Sequence, residues 1–252
     1  AIIKNDITSL DMVLGDHIRY NFDYYIDNGF YWSYGFKSRY NSFNKNVATD
    51  FNNGDLIQQL GINTINVDFS DFSNELYVQT IFVQKFLLGA GVEYKILNVK
   101  SKTTENIQPI FESSGYGSLF GYLKYDSLDN KYFPKSGWYL ASDFQYYGHS
   151  SNNTKNFNEF SILKADVGFV KTYFNKVSFN FQNEAGFKVG RKSDPFFNFI
   201  LGGYGFNTIN NIRHFYGYDF LSVAANSYIK TSATLDYEFF KKNHFNFSAN
   251  FD

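Results

Sequence analysis

The chain has 252 residues, with 23 lysines and arginines against 24 aspartates and glutamates, so its formal net charge is −1. This balance argues against nucleic acid or another polyanion as the main partner. There is no cysteine, which excludes disulfide bonds and thiolate metal sites. Aromatic residues make up 21% of the chain, yet the mean hydropathy is −0.35. Such a composition favours a structure with one apolar and one wet face, and no apolar run is long enough for a membrane-spanning helix.

Apolar and polar residues alternate through the first half of the chain, which is the pattern of β-strands with two unlike faces. Residues 18–26 carry apolar side chains at every even position, and Asn28-Gly29 then predicts a tight hairpin turn. The polar stretches 41–55 and 100–114 are interpreted as loops. The strands predicted in this half lie at 18–26, 30–39, 65–69, 75–84, 88–99 and 116–125.

The second half alternates more regularly. Its predicted strands lie at 138–148, 157–172, 177–190, 229–239 and 245–251. One face of these strands is apolar, and we expect it to carry Phe179, Phe181, Phe187, Leu235, Tyr237 and Phe239. The opposite face is polar, and we expect it to carry Asn180, Gln182, Glu184, Asp236 and Glu238.

About twelve strands of this kind predict an all-β fold, a closed antiparallel transmembrane β-barrel. Charged residues in the middle of the strands suit a wet lumen, and the many phenylalanines and tyrosines on the other face suit aromatic girdles. A backbone that crosses lipid must satisfy its own hydrogen bonds, so such a barrel must close. The alternative is a soluble β-sandwich or lipocalin-like barrel, in which the apolar face forms the core. No linker divides the chain, so residues 1–252 are predicted to form a single domain.

The stretch from Tyr125 to Gly137, YDSLDNKYFPKSG, is predicted to be a turn between two strands. Pro134 cannot donate a hydrogen bond to a strand ladder, and Gly137 tolerates a positive φ. Asp and Asn side chains in turns accept hydrogen bonds from nearby backbone groups. The candidates for that role are Asp126, Asp129 and Asn130.

The longest irregular stretch runs from about Arg191 to Leu221 and contains Gly202-Gly203 and the aromatic tip Tyr216-Gly217-Tyr218. A loop of this length in a compact domain is usually functional or disordered. This loop carries many large apolar side chains, and burying each is worth roughly 1.5–3 kcal/mol. We therefore expect the portion 202–218 to fold into the barrel and plug it.

Together the turn and the loop resemble the bacterial surface antigen superfamily of outer-membrane assembly factors, which includes BamA and TamA. The turn motif is carried by Tyr125, Asp126, Asp129, Asn130, Phe133, Pro134 and Gly137. As in the family, three predicted strands separate it from the Gly-Gly loop. The resemblance implies a sixteen-stranded barrel, of which residues 1–252 would hold about the second to the thirteenth strand. The remaining strands and any upstream domains would then lie outside this sequence at both ends.

The loop tip departs from the family, in which an Arg-Gly-Tyr or Arg-Gly-Phe sequence folds into the lumen and its arginine pairs with an acid. Either Tyr216 stands where the family has that arginine, or Arg213 does, with His214 in place of the glycine that follows. Arg213 is therefore our candidate for the lumenal pairing. Its candidate partners are Glu184, Asp236 and Glu238. Alternatively, the tip from Tyr216 to Tyr218 only packs the lumen.

The resemblance also implies a location in the bacterial outer membrane, with membrane lipids as partners. The tip sequence and the high content of asparagine, lysine and aromatic residues resemble those of barrels attached to patatin-like phospholipases in Bacteroidetes-type bacteria. The function implied is to anchor or translocate an attached lipid acyl hydrolase. Transport-associated modules, a homodimer or an outer-membrane complex are further implied partners. The alternatives are a passive porin and a component of an assembly or secretion complex.

No catalytic nucleophile can be identified in the sequence. A patatin-like hydrolase needs a serine in a Gly-x-Ser-x-Gly elbow, and this sequence has none. The four histidines show no metal-ligand spacing, and the Gly-x-Gly pairs precede no predicted helix that could cradle a phosphate. We expect this chain to be no enzyme in itself, without a catalytic, cofactor or metal site.

Overall fold

The computed structural model describes residues 6–15, 17–29, 31–48, 64–101, 112–151, 157–190, 197–202, 212–215, 218, 223–240 and 243–251. No α-helix occurs among these residues. Within the same ranges, no helical segment has the length and apolar character needed to cross a membrane.

In its described part the chain forms fourteen β-strands: β1 (Asp6–Val13), β2 (His17–Asp27), β3 (Ser33–Ala48), β4 (Thr64–Phe82), β5 (Phe86–Ser101), β6 (Glu112–Asp126), β7 (Ser136–Ser150), β8 (Phe160–Tyr173), β9 (Val177–Gly190), β10 (Phe199–Leu201), β11 (Ile212–Arg213), β12 (Val223–Ala225), β13 (Ser227–Phe240) and β14 (Asn243–Phe251). Eleven of them form one antiparallel sheet, in the order β1 to β9, then β13 and β14. The strands β1 and β14 are its edges and do not pair with each other, so the described sheet is open. The prediction of an all-β antiparallel fold is confirmed.

The strand register gives this sheet one polar and one apolar face. On the polar face, Glu75 of β4 stands between Lys37 of β3 and Glu93 of β5. On the apolar face, Leu76 is 59% exposed and Leu235 is 47% exposed. In a soluble protein such side chains are usually covered by other parts of the chain, because large contiguous apolar surfaces are rare on soluble monomers. The described sheet leaves its apolar face uncovered.

The side chains predicted to share a face of β9 and β13 do so. Phe179 pairs directly with Leu235, and Phe181 pairs with Ala233, all on the apolar face. Phe187 lies further along the same face of β9 and is exposed. The predicted polar set lies on the opposite face, because residues alternate along a strand.

The connections at the two ends of the sheet differ in length. At one end, which we call the short-turn end, the connections are 28–32, 83–85, 127–135, 174–176 and 241–242. The longest connections, at 49–63, 102–111 and 191–226, all lie at the other end, the long-loop end. The turn before Gly137 and the loop after Arg191 thus lie at opposite ends, because the three strands β7, β8 and β9 separate them.

Two strand predictions need correction. The segments 65–69 and 75–82 belong to one strand, β4, because Asp71 and Ser73 between them are buried on the polar face rather than turning the chain, and residues 83–84 form the turn that follows. The strand β1 was not predicted, because its apolar residues do not alternate strictly with polar ones. The sheet accordingly has eleven described strands rather than about twelve.

The boundaries of the polar loops also differ from the prediction. The stretch 41–55 contains the last part of β3, which continues to Ala48, and residues 49–63 lie outside the described ranges. The stretch 100–114 is shortened from both sides, because β5 ends at Ser101 and β6 begins at Glu112. Asn41 and Ser114 are buried polar residues inside these strands, so polarity alone does not mark a loop here.

The hydrophobic core lies on the polar face, near the long-loop end. It joins side chains of the sheet to side chains of the connection between β9 and β13: Leu97, Val99, Tyr116, Tyr147, Phe160, Ile162, Phe197, Phe199, Leu201, Phe215 and Tyr228. The alternation pattern misses this core because it assigns the whole face to water. A signal was present in β5, where Ile96, Leu97 and Val99 place apolar residues on both faces.

Candidate functional site

The connection between β9 and β13 folds back onto the polar face. Besides Tyr218, the described residues of this connection are 197–202, 212–215 and 223–226, and these three segments are called the inner loop here. They form a small sheet in which β10 pairs in parallel with β11 and antiparallel with β12. The N–H of Gly202 donates to the carbonyl of Arg213, 3.1 Å away, and ties β10 to β11. The loop expected to be irregular is therefore partly ordered by its own hydrogen bonds.

Phe199 anchors the inner loop in the core and is completely buried. Its ring meets the ring of Tyr228 edge to face, with centroids 4.9 Å apart. Gly186 of β9 makes room for both rings, because a Cβ there would lie 2.4 Å from Tyr228 and 2.7 Å from Phe199. Nearby, Phe197 packs edge to face on Tyr116 at 4.8 Å. These contacts fix the inner loop against strands β6, β9 and β13.

Arg213 lies at the polar border of this core. Its Nε is 2.7 Å from Oε1 of Glu184 and donates to the hydroxyl of Tyr228 at 3.0 Å. The Tyr228 hydroxyl in turn donates to the same Glu184 oxygen at 2.6 Å. We call these three residues the Arg213 triad. Hydrogen bonds to charged groups are roughly twice as strong as neutral ones, so the triad holds the loop firmly.

The structure distinguishes among the three acids proposed as partners of Arg213. Glu184 is the one in contact with it. Asp236 instead lies 2.7 Å from Nδ1 of His244, and Glu238 lies 2.7 Å from Nζ of Lys135. The sequence could not separate these acids, because all three occupy the polar face.

Two lysines of the sheet hold further oxygen atoms of the inner loop. Lys230 of β13 donates to the carbonyl of His214 at 3.2 Å, and its Nζ lies 5.9 Å from the centre of the Phe215 ring. Lys188 of β9 donates to the side chain of Asn198. Both lysines fall on the polar face by the alternation of residues along β9 and β13, but the sequence indicates no partner for either of them.

A cavity of about 810 Å³ lies on the polar face between the inner loop and the short-turn end. Its lining mixes acids, bases and amides, among them Lys37, Asp143, Lys164, Asp166, Gln182 and the Arg213 triad member Glu184. Charges of both signs are interspersed, so the cavity suits water and polar chains rather than one apolar ligand.

Beside the cavity, an ionic network fastens the wall formed by β3, β4 and β5. Glu75 and Glu93 stand directly opposite each other, a repulsive arrangement for two carboxylates. Arg39 relieves it, because it is paired with Glu75 and its NH2 group lies 3.6 Å from Glu93. Lys95 adds contacts to Glu93 at 3.6 Å and to Asp71 at 3.8 Å.

The turn between β6 and β7 is held by side-chain acceptors, as its sequence predicted. Oδ1 of Asp129 accepts hydrogen bonds from the N–H groups of Lys135, at 2.8 Å, and Ser136, at 3.1 Å. Asp126 accepts one from Leu128 at 2.8 Å in the same way. A further acceptor is Asn130, bonded to Tyr132 N–H at 2.9 Å.

Gly137 is required by this turn. Its φ is +125°, and a Cβ there would lie 2.4 Å from the carbonyl oxygen of Ser127. At the other end of the motif, the ring of Tyr125 packs against that of Phe86 at 4.6 Å. The motif residues thus shape the turn and fix it to the sheet.

The turn also reaches across the short-turn end to distant strands. The ring of Phe133 stacks on that of His244 in β14, with centroids 4.1 Å apart. The Lys135 ammonium contacts Glu238 of β13, and this hydrogen bond raises the pKa of Lys135. The Thr172 hydroxyl of β8 donates to the Lys135 carbonyl at 2.7 Å. The turn therefore ties β8, β13 and β14 to the hairpin of β6 and β7.

We expect Asp129→Ala to lower the free energy of unfolding by roughly 1 kcal/mol, because two backbone N–H groups lose their acceptor. Asp129→Asn should cost less, since it keeps Oδ1. Desolvation raises the pKa of Asp129, but the N–H donors of Ser136 and Lys135 outweigh it, so the net shift is downward. The carboxylate's contribution is therefore full above the unfolded pKa of about 4 and is lost as the pH falls through the folded pKa.

Urea unfolding of the wild type and Asp129→Asn measures this dependence. The stability difference between them should be present at about pH 7 and should close near pH 2. A difference that stayed constant over this range would show that the charge of Asp129 is not involved.

Several residues predicted for the loop tip cannot be placed. Gly203, Tyr216 and Gly217 lie outside the described residues. Tyr218 is the described residue of the tip and is 48% exposed. Arg213, a few residues before the tip, contacts Glu184 and Tyr228. No cluster of three or more histidine, aspartate or glutamate side chains suited to a metal ion occurs among the described residues.

The family model of the OMP85 superfamily matches residues 1–252, the whole chain. No curated protein matches the sequence significantly.

Proposed function

Because the chain belongs to the OMP85 superfamily, we propose that its sheet is part of a closed transmembrane β-barrel in a bacterial outer membrane. The observation that carries this proposal is the division of the sheet into a charged face and an exposed apolar face. Exposed side chains such as Leu76 and Leu235 would contact lipid, while the ionic network of Arg39 would line the lumen. The two edge strands, β1 and β14, would have to be joined directly or by further strands, since lipid tolerates no open edge.

We propose further that the barrel works in assembly or translocation, as the superfamily suggests, and that it anchors or translocates an attached patatin-like lipid acyl hydrolase. In this view the hydrolase lies in a separate domain, and the chain described here is not itself the enzyme. Support for the cargo comes from the resemblance of the loop tip and composition. The proposed partners are membrane lipids, the attached hydrolase and transport-associated modules, and a second copy or an outer-membrane complex.

A passive porin is the second candidate, because a polar cavity of about 810 Å³ lies on the lumenal side. The inner loop counts against it. Phe199 is fully buried, and the side chains of the Arg213 triad are bonded to one another. The inner loop is therefore held firmly against the polar face. A barrel with so firm a plug would conduct poorly until the loop moved.

Fractionation of cells that produce the full-length protein tests this function. We expect the protein in the outer-membrane fraction, resistant to extraction with alkaline carbonate, together with phospholipid acyl hydrolase activity. Recovery in the soluble fraction would contradict the membrane proposal. Recovery in the outer membrane without any hydrolase activity would contradict the patatin-type cargo alone.

A further inference from the structure

Two hairpin turns at the short-turn end share a four-residue pattern. The β4–β5 turn reads Phe82-Val83-Gln84-Lys85, and the β8–β9 turn reads Tyr173-Phe174-Asn175-Lys176. Each is an aromatic residue, an apolar residue, an amide and a lysine. The sequence at the β13–β14 connection, Phe239-Phe240-Lys241-Lys242, keeps the two apolar positions and the final lysine. We call the first two segments the aromatic–basic turns.

The aromatic–basic turns have the same geometry. In each, the N–H of the lysine donates to the carbonyl of the aromatic residue three positions earlier, at 3.2 Å. The two central residues have positive φ, 52° and 55° for Val83 and Gln84, and 52° and 58° for Phe174 and Asn175. Consecutive positive φ values mark a type I′ turn, which favours Asn-Gly. A β-branched valine and a phenylalanine are strained choices there.

These strained side chains are also exposed. Phe174 is 94% exposed and Val83 is 65% exposed. The lysines that follow them, Lys85 and Lys176, are exposed as well. Each turn thus presents a large apolar tip with a cation two residues away, and local folding requirements explain neither choice. The strain indicates that the tips are kept for contact with another surface.

We propose that the aromatic–basic turns bind anionic phospholipids of the leaflet that faces the short-turn end. This inference rests on the proposed membrane location. An apolar tip beside a lysine matches the boundary between acyl chains and phosphates, where apolar side chains enter the interface and lysines meet phosphate. The identical spacing in two hairpins separated by the two strands β6 and β7 argues for one extended, repetitive partner, which a lipid leaflet is.

The two tryptophans of the chain provide the probe. Trp32 and Trp138 both lie at the short-turn end, beside the β2–β3 turn and at the start of β7, and both are exposed. Their fluorescence therefore reports the lipid that surrounds this rim. The purified full-length protein, with any tryptophans outside residues 1–252 replaced by phenylalanine, is reconstituted in phosphatidylcholine–phosphatidylglycerol vesicles. In parallel samples, either the zwitterionic or the anionic lipid carries bromine on its acyl chains.

We expect brominated phosphatidylglycerol to quench the tryptophans roughly twofold more than brominated phosphatidylcholine at equal mole fraction, since a lysine near the surface attracts anionic lipid. The preference should disappear in Lys85→Gln/Lys176→Gln. The matched control is Lys100→Gln, which removes an exposed lysine at the long-loop end of β5 and should leave the preference intact.

The other outcomes separate this inference from the proposed function. Equal quenching by both lipids, or a preference that survives in Lys85→Gln/Lys176→Gln, would overturn the lipid proposal. Either result would instead favour contact between these turns and an attached protein domain. An absence of quenching by either lipid would show that the rim does not lie at a membrane, and would overturn the proposed location with it.

Discussion

Phe199→Ala should detach the inner loop and lower the free energy of unfolding of the core by about 3–5 kcal/mol. The reason is that Phe199 is fully buried and packs against Tyr228 over Gly186, so its removal leaves a cavity that the β-sheet cannot close. Because the sheet is held separately by its strand pairing, most of this loss should appear as local opening of the loop.

Limited proteolysis and planar-bilayer conductance measure that opening. We expect the loop of Phe199→Ala to be cleaved under conditions that leave the wild type intact, and the variant to conduct steadily where the wild type conducts poorly. The matched control is Phe187→Ala, which removes the same ring from the exposed apolar face of β9. Large steady conductance from the wild type would favour a porin. Equal protection of both variants would show that Phe199 does not anchor the loop.

Breaking the Arg213 triad should have the second largest effect. In Arg213→Ala the partly buried Glu184 loses the guanidinium beside it and keeps its bond from Tyr228, and we expect a loss of about 2–3 kcal/mol. Glu184→Gln keeps the shape and an acceptor oxygen and should cost less. Like Phe199→Ala, Arg213→Ala should increase conductance, because the same loop is freed.

A double-mutant cycle with Arg213→Ala and Glu184→Ala isolates the contact between the two side chains. We expect the two changes to be less than additive by about 1 kcal/mol or more. The control cycle pairs Arg213→Ala with Asp236→Ala, since Asp236 contacts His244 instead. Full additivity for Arg213 and Glu184 would contradict the triad, and coupling to Asp236 would point to a different partner.

The alternation of residues predicted most of the sheet, because the side-chain period of a strand is two and each face meets one solvent. It failed where a face changes character along its length. Leu97 and Phe160 lie on the polar face, yet they are buried because the inner loop covers that end. Which segment covers them is a long-range matter that no local pattern encodes.

The residues of the candidate site could be predicted from the sequence, but which acid pairs with Arg213 could not. The turn acceptors Asp126, Asp129 and Asn130 act within a few residues, so sequence spacing was sufficient to identify them. Three acids on the same face of the sheet were candidate partners for Arg213. The register decides, because it sets Tyr228 opposite Gly186, beside Glu184, and so brings both to the loop.

Single-cysteine labelling along β13 tests the central claim, that one face of the sheet meets lipid and the other meets water. The native chain has no cysteine, so Ser232→Cys, Ala233→Cys, Thr234→Cys and Leu235→Cys can each be introduced alone. After reconstitution in liposomes, a water-soluble maleimide should label positions 232 and 234, which line the cavity, and spare 233 and 235. Labelling of 233 and 235 with protection of 232 and 234, or equal labelling of all four, would contradict it.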